Sequence, residues 1–217
     1  MAEKILEPVT DKRSILYEVI RFLAKIVFGT VMPVRCYNRE RLDAEAPYVL
    51  IANHQHALDP VAMAVKIPRR QIVFLGKKEL GKGKLAEKIL TRAHCILVDR
   101  HNTDMAAMRN CMKAIRMKKI LLVFPEGTRH HKGQMTEIQN GTSLIAMRSG
   151  APVIPVYIDR KISFFRRTHM YVGEPIGYDD LKAKGINAET CEEMNERIRE
   201  TYRKMIAETK GPDTEKE

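Results

Sequence analysis

The sequence predicts an α/β domain, a mostly parallel central sheet flanked by helices, and three observations predict it. Short apolar runs rich in β-formers recur at 47–52, 71–75, 95–98, 120–124 and 152–158. Strands buried on both faces of a parallel sheet read this way. Segments of helical spacing separate the runs, so strand and helix alternate. Charged or glycine-containing turns follow the strand ends, at His54 to Asp59, Asp99-Arg100 and Glu126 to Arg129. Open α/β sheets build their sites at that carboxyl edge.

The chain has 217 residues, enough for one domain with a substantial core. Its formal net charge of +11 points to an anionic partner. With no Trp, few aromatics and no helix-turn-helix or zinc-finger spacing, a nucleic-acid partner is not expected. Cys36, Cys95, Cys111 and Cys191 form no C-x-x-C pair, and the first residues carry no secretory leader pattern, so a reducing, cytoplasmic setting is expected. The expected organisation is an amphipathic membrane-associating segment at 1–35, the main domain at 36–185, and a C-terminal helix with a frayed tail at 186–217, packed on that domain.

Residues 14–28 are strongly apolar, but Glu18, Arg21 and Lys25 share one stripe of a helix. Such a helix is about 21 Å long, short of a hydrocarbon core of about 30 Å. It is expected to lie in a membrane interface rather than cross it, or else to pack on the domain. Gly29 and Pro33 end it. The run Pro47 to Ala52 is a buried strand that delivers His54 at its end. Asp59-Pro60 opens a short helix, with Asp59 as side-chain cap and Pro60 at the first helical position; Pro68 stops it.

Strands follow at Gln71 to Leu75 and Cys95 to Val98. Between Lys66 and Arg100 ten basic side chains stand against three acidic ones, a local +7 that suits a solvated surface or an anionic bilayer. From Thr103 to Met117 the positions Met105, Met108, Met112 and Ile115 make a soft helical stripe, either core or the wall of an acyl-chain groove. The strand Ile120 to Phe124 runs into Pro125-Glu126-Gly127-Thr128-Arg129. Gly127 lets backbone approach a ligand there, and Arg129 offers a planar fork to a phosphate.

Asn140 to Arg148 is a helix with Gly150 beyond its end, and Pro152 to Ile158 a strand. Arg160 to Arg167 places Phe164 and Phe165 between basic residues, as a loop that dips into a membrane or as a hairpin edge. Met170 to Ile176 is the last strand, broken by Gly173 and Pro175. Thr190 and Glu193 make a capping box for a helix with a Met194, Ile198, Tyr202 and Met205 stripe, and the chain frays from Lys210.

A loop entering a helix can fold His54 back onto Asp59, and an oriented imidazole is what a general base for a hydroxyl requires. Two other readings stay open at this point. Asp59 is only a cap beside loop histidines, or His54, His56 and Asp59 form part of a metal site, as in a metal-dependent phosphoesterase.

With His54-x4-Asp59, Val98-Asp99-Arg100, Phe124-Pro-Glu-Gly-Thr-Arg129 and Val153-Ile-Pro-Val156 in this order, the chain resembles the glycerolipid acyltransferases over roughly Tyr48 to Ile176. The resemblance implies that His54 is the catalytic base and Asp59 its orienting partner. It places Glu126, Gly127, Thr128 and Arg129 in the acceptor site, Arg129 and Arg100 on the acceptor's phosphate with Lys78 near it, and Pro155 on the acyl side. The implied reaction transfers a fatty acyl group from an acyl-CoA or acyl-carrier-protein thioester to the sn-2 hydroxyl of lysophosphatidic acid, with no metal or other cofactor. Glycerol 3-phosphate or another lysophospholipid is the alternative acceptor, and a non-catalytic protein binding anionic membrane is the alternative class. His130 stands where the family often has Ser, which bears on acceptor choice. The single amphipathic helix implies peripheral attachment at the cytoplasmic face of the cell membrane. No Gly-x-Ser-x-Gly elbow is present, so direct attack by the acceptor is preferred to an acyl-enzyme.

Overall fold

The computed structural model describes residues 7–11, 14–42, 47–66, 71–99, 104–128 and 135–209. The seven strands are β1 (Val34–Tyr37), β2 (Val49–Ala52), β3 (Ile72–Lys77), β4 (Cys95–Val98), β5 (Ile120–Val123), β6 (Val153–Ile158) and β7 (Thr168–Val172). The α-helices are α1 (Ile15–Val27), α2 (Asp59–Lys66), α3 (Lys84–Arg92), α4 (Met105–Arg116), α5 (Asn140–Ser149), α6 (Asp179–Ala183) and α7 (Ala188–Thr209). All strands join one sheet in the order β1-β7-β6-β2-β5-β3-β4. Every pairing is parallel except β6 with β7. The expected mostly parallel α/β sheet is therefore the observed one.

Alternation along each strand splits the core into two layers. Val49, Ile51, Leu121, Val123 and Val153 face α4, α5 and α7, where they meet Met194, Ile198 and Tyr202. Leu50, Ala52, Leu122, Ile154 and Val156 face α1 and α2, where they meet Tyr17, Phe28 and Met63. The central strands β2, β5 and β6 are buried at every position, which is why they read as unbroken apolar runs.

Several elements differ from expectation. The edge strand β1, paired in parallel with β7, is not anticipated, because its four residues alternate around the exposed Arg35. Helix α3 lies inside the basic stretch and has no buried apolar residue, so its pattern reads as surface. The last strand starts earlier than expected, at Thr168, and ends at Val172, at the break expected from Gly173; Ile176 makes an isolated bridge to Val153. The capping box of α7 is set by Asn187, not by Thr190 with Glu193. Asn187 Oδ1 accepts from the Thr190 amide at 2.9 Å while Thr190 Oγ1 accepts from the Asn187 amide at 3.0 Å. Glu193 instead pairs with Lys184 at 3.0 Å. On α4, Met108 and Met112 pack against the core. From Met108 to Ile115 the stripe is core, whereas Met105 at the start of the helix is exposed, and the groove wall is made elsewhere. The tail from Lys210 lies outside the described residues.

Helix α1 is both packed and exposed. Ser14 caps it, its Oγ accepting from the Tyr17 amide at 3.1 Å, and its own amide donates to His94 Nε2 at 3.1 Å. Tyr17, Ala24 and Phe28 point inward, and Arg21 Nε donates to the Ala64 carbonyl on α2 at 2.9 Å. Outward stand Ile15, Val19, Phe22, Leu23 and Ile26, all exposed. The charged stripe thus borders the inner face, and the apolar side faces out.

Candidate active site

Strand β2 ends at Ala52, and the next residues are fastened before α2 begins. Asn53 is fully buried and continues the ladder with its side chain: Nδ2 donates to the Ile158 carbonyl at 2.9 Å, and Oδ1 accepts from the Ile158 amide at 2.7 Å. Gln55 Nε2 donates to the same carbonyl at 2.6 Å. Neither role has a signal in the sequence beyond a polar residue after a buried strand.

Asp59 does not cap its own helix. Its Oδ2 turns back to accept from the Gln55 amide at 2.8 Å, the His56 amide at 2.7 Å and His54 Nδ1 at 2.9 Å. The residue is fully buried, and its Oδ1 has no hydrogen-bond partner. A carboxylate accepts only, so the shared proton sits on His54 Nδ1 and Nε2 is left as the basic nitrogen. The imidazole stacks on Phe124, with ring centres 4.2 Å apart.

The turn after β5 completes the frame. Glu126 is buried, and its Oε2 accepts from the His54 amide at 2.9 Å. Burial first, and then the Glu126 carboxylate, hold the Tyr202 phenol well above its ordinary value. That hydroxyl lies 2.9 Å from the Ile51 carbonyl and 3.1 Å from that of Val156, tying α7 beneath β2 and β6. Gly127 turns the chain at φ 68°, a left-handed conformation, and its amide donates to the Phe124 carbonyl at 3.0 Å.

His54, His56, Phe124, Gly127 and Thr128 stand at a cavity of about 890 Å³. Its walls are mostly apolar: Tyr17 and Ile20 of α1, Val61 and Ala64 of α2, Leu80, and Ile89 and Leu90 of α3. Arg21, Lys77 and Lys161 supply positive charge along it. The walls contributed by α1 and α3 are the part that sequence reasoning missed, since neither helix carries a motif. Cys95 also borders the cavity, but burial pushes its thiol up to about 12, so it stays protonated near neutrality and is a poor nucleophile.

The remaining expected residues fall in different places. Lys78 Nζ lies 3.9 Å from Asp99 Oδ2, and Lys77 rather than Lys78 borders the cavity. Pro155 pairs in register with Ile51, and its ring lies beside Gly173 near Met205, on the α7 side of the sheet rather than in the cavity wall. Arg100 and Arg129, with His130, lie outside the described residues; Arg129 follows Thr128 of the cavity rim directly in sequence. The ring of His56 accepts the Leu58 amide through Nδ1 at 3.3 Å. Among the described residues, no three of the His, Cys, Asp and Glu side chains are grouped to hold a metal ion.

A family model described as Acyltransferase matches residues 33–159, more than half of the chain. The chain belongs to the Acyltransferase family. Among its relatives is the 1-acyl-sn-glycerol-3-phosphate acyltransferase of Bacillus subtilis, 28% identical over 198 residues that cover 88% of this chain and 98% of that protein. The enzyme of the same name from Streptococcus pneumoniae is 27% identical over 75% of this chain and 62% of its own length. Among solved structures, the 1-acyl-sn-glycerophosphate acyltransferase of Thermotoga maritima superposes with a TM-score of 0.66 at 22% identity, over 90% of this chain and 78% of that one. That likeness bears on the fold. The acyltransferase match spans β1 to the end of β6, and so contains the His54–Asp59 pair and the Glu126 turn.

Proposed function

We propose that this acyltransferase moves a fatty acyl group from a CoA or acyl-carrier-protein thioester to the sn-2 hydroxyl of 1-acyl-sn-glycerol 3-phosphate, giving phosphatidic acid. The observation that carries the reading is the Asp59-held imidazole of His54 standing at a large apolar cavity. The names of the relatives support the acceptor.

His54 Nε2 takes the proton of the sn-2 hydroxyl as its oxygen attacks the thioester carbonyl carbon. The new C–O bond forms, the carbonyl oxygen takes the negative charge, and Asp59 faces the positive charge that appears on the ring. Collapse of the tetrahedral species breaks the C–S bond, and the imidazolium returns the proton to the leaving thiolate. Holding hydroxyl, carbonyl and base together supplies much of the acceleration. The apolar walls hold the acyl chains. Arg129 and Arg100 grip the acceptor's phosphate, with Lys78 and the cavity cation Lys77 beside it. No step calls for a metal or other cofactor.

The protein works at the cytoplasmic face of the cell membrane as a peripheral enzyme. Two features support this: the outward apolar face of α1 and the net charge of +11, which suits anionic lipid. Among the described residues no helix is long and apolar enough to cross a membrane.

Thiol release from acyl-CoA and acyl-carrier protein, measured with a panel of acceptors, tests the reading. Lysophosphatidic acid should support turnover far better than glycerol 3-phosphate or a monoacylglycerol lacking phosphate. Equal rates with and without the phosphate, or preference for glycerol 3-phosphate, would sink it.

A further inference from the structure

The exposed large apolar side chains are concentrated on a few segments that also contribute to the cavity wall or adjoin it in sequence. Among the described residues thirteen are exposed: six on α1, three from Leu80 to Ile89, two at Phe164 and Phe165, and only Met105 and Ile186 elsewhere. The first two groups belong to segments that wall the His54 cavity, and the third sits on a hairpin just after the wall residue Lys161. Leu80 and Ile89 line the cavity itself, and Ile15, Val19, Phe22 and Leu23 border a shallow hollow of their own on the outer side of α1. Exposed apolar residues gathered on neighbouring segments mark a surface that meets something apolar.

The hairpin is built to display its tip. Ser163 and Arg166 bridge across it, and between them Phe164 and Phe165 are 64% and 84% exposed. Phe165 has φ 56°, unfavourable for a bulky side chain, and its amide donates to the Val31 carbonyl at 2.8 Å, just past the end of α1. The tip is thus tied to the exposed helix. From Arg160 to Arg167 there are four basic residues and no acidic one.

We infer that the Phe164-Phe165 hairpin is a second insertion point into an anionic phospholipid bilayer, beside α1, so that the cavity mouth opens against lipid between them. This rests on the peripheral attachment proposed above and adds the segment that fixes its orientation. The occupant is a bilayer because the apolar tip is flanked on both sides by bases, which complements lipid chains beneath anionic headgroups. A substrate with long acyl chains then enters the cavity without crossing water.

The chain contains no Trp, so Phe164→Trp makes a single reporter in the full protein. On phosphatidylglycerol vesicles its emission should shift to the blue and be quenched by brominated acyl chains. Replacing the tip as Phe164→Ser with Phe165→Asn, a residue that tolerates positive φ, should weaken vesicle binding about 10- to 100-fold. The melting temperature and the turnover of detergent-dispersed substrate should stay unchanged. A reporter that sediments with vesicles while its emission stays that of water overturns the hairpin's role and leaves attachment by α1 standing. Failure of the unaltered protein to bind these vesicles overturns both. A tip substitution that abolishes self-association in the absence of lipid, with vesicle binding unchanged, identifies a second copy as the occupant and also overturns the inference.

Discussion

Among the described residues are two histidine–aspartate pairs of nearly the same geometry, and only one stands at the cavity. His54 Nδ1 lies 2.9 Å from Asp59 Oδ2, and His169 Nδ1 lies 3.0 Å from Asp159 Oδ2. In both pairs the carboxylate also accepts backbone amides. The surroundings differ. Asp159 shares its Oδ2 with Arg160 Nε at 2.9 Å, and the His169 ring meets Tyr37 edge-on at 5.7 Å. Among the described residues Asp59 pairs with no Lys or Arg, and the His54 ring stands at a cavity of about 890 Å³. Pair distance alone therefore does not mark a base; a place at the cavity does.

The largest expected effect separates the two rings. His54→Ala should lower kcat by about 10²- to 10⁴-fold with the melting temperature nearly unchanged, whereas His169→Ala should cost about 1–3 kcal/mol of stability and leave the kcat of the folded protein intact. Comparable kcat losses at both positions would break the comparison. Next come the carboxylates. Asp59→Asn should cost about 10²- to 10³-fold in turnover, because an amide in place of the carboxylate no longer holds the ring with Nε2 free. Asp159→Asn should be visible in thermal unfolding and not in rate.

Arg129→Lys keeps the charge but loses the two-pronged contact, so the acceptor's KM should rise about tenfold while that of the thioester barely moves. Parallel losses for both substrates would make Arg129 a brace for its loop instead. Glu126→Gln should be mildest, about threefold in kcat, since the amide oxygen can still accept from the His54 backbone. A loss as large as that of Asp59→Asn would give Glu126 a part in the chemistry.

Much of this was legible in the sequence where the physics is local. Val49–Ala52, Ile120–Val123 and Val153–Ile158 read as strands because both their faces are buried. His54 and Asp59 are joined by one short loop, from the end of β2 to the first residue of α2, so their spacing carries the pair. Strand β1 was not legible, because its partner is β7, far along the chain, and pairing at an edge leaves no apolar run. The grip of Glu126 on the His54 amide spans 72 residues and has no local trace. The second pair was silent too, as His169 and Asp159 come from different strands' ends. For α1 the periodicity showed an amphipathic helix, but nothing in it said which side the domain would take.

The parallel pairing of β1 with β7 also sets an order of events during synthesis. Helix α1 and β1 are made first, and the strand that receives β1 is made about 130 residues later, roughly 7 to 26 s at ribosomal speed. Through that interval Tyr17, Ala24 and Phe28 have no finished sheet to pack on, and α2, made soon after β1, is the partner α1 can meet first. Moving α1 and β1 to a position after β7 by circular permutation would reverse that sequence while leaving the final contacts the same.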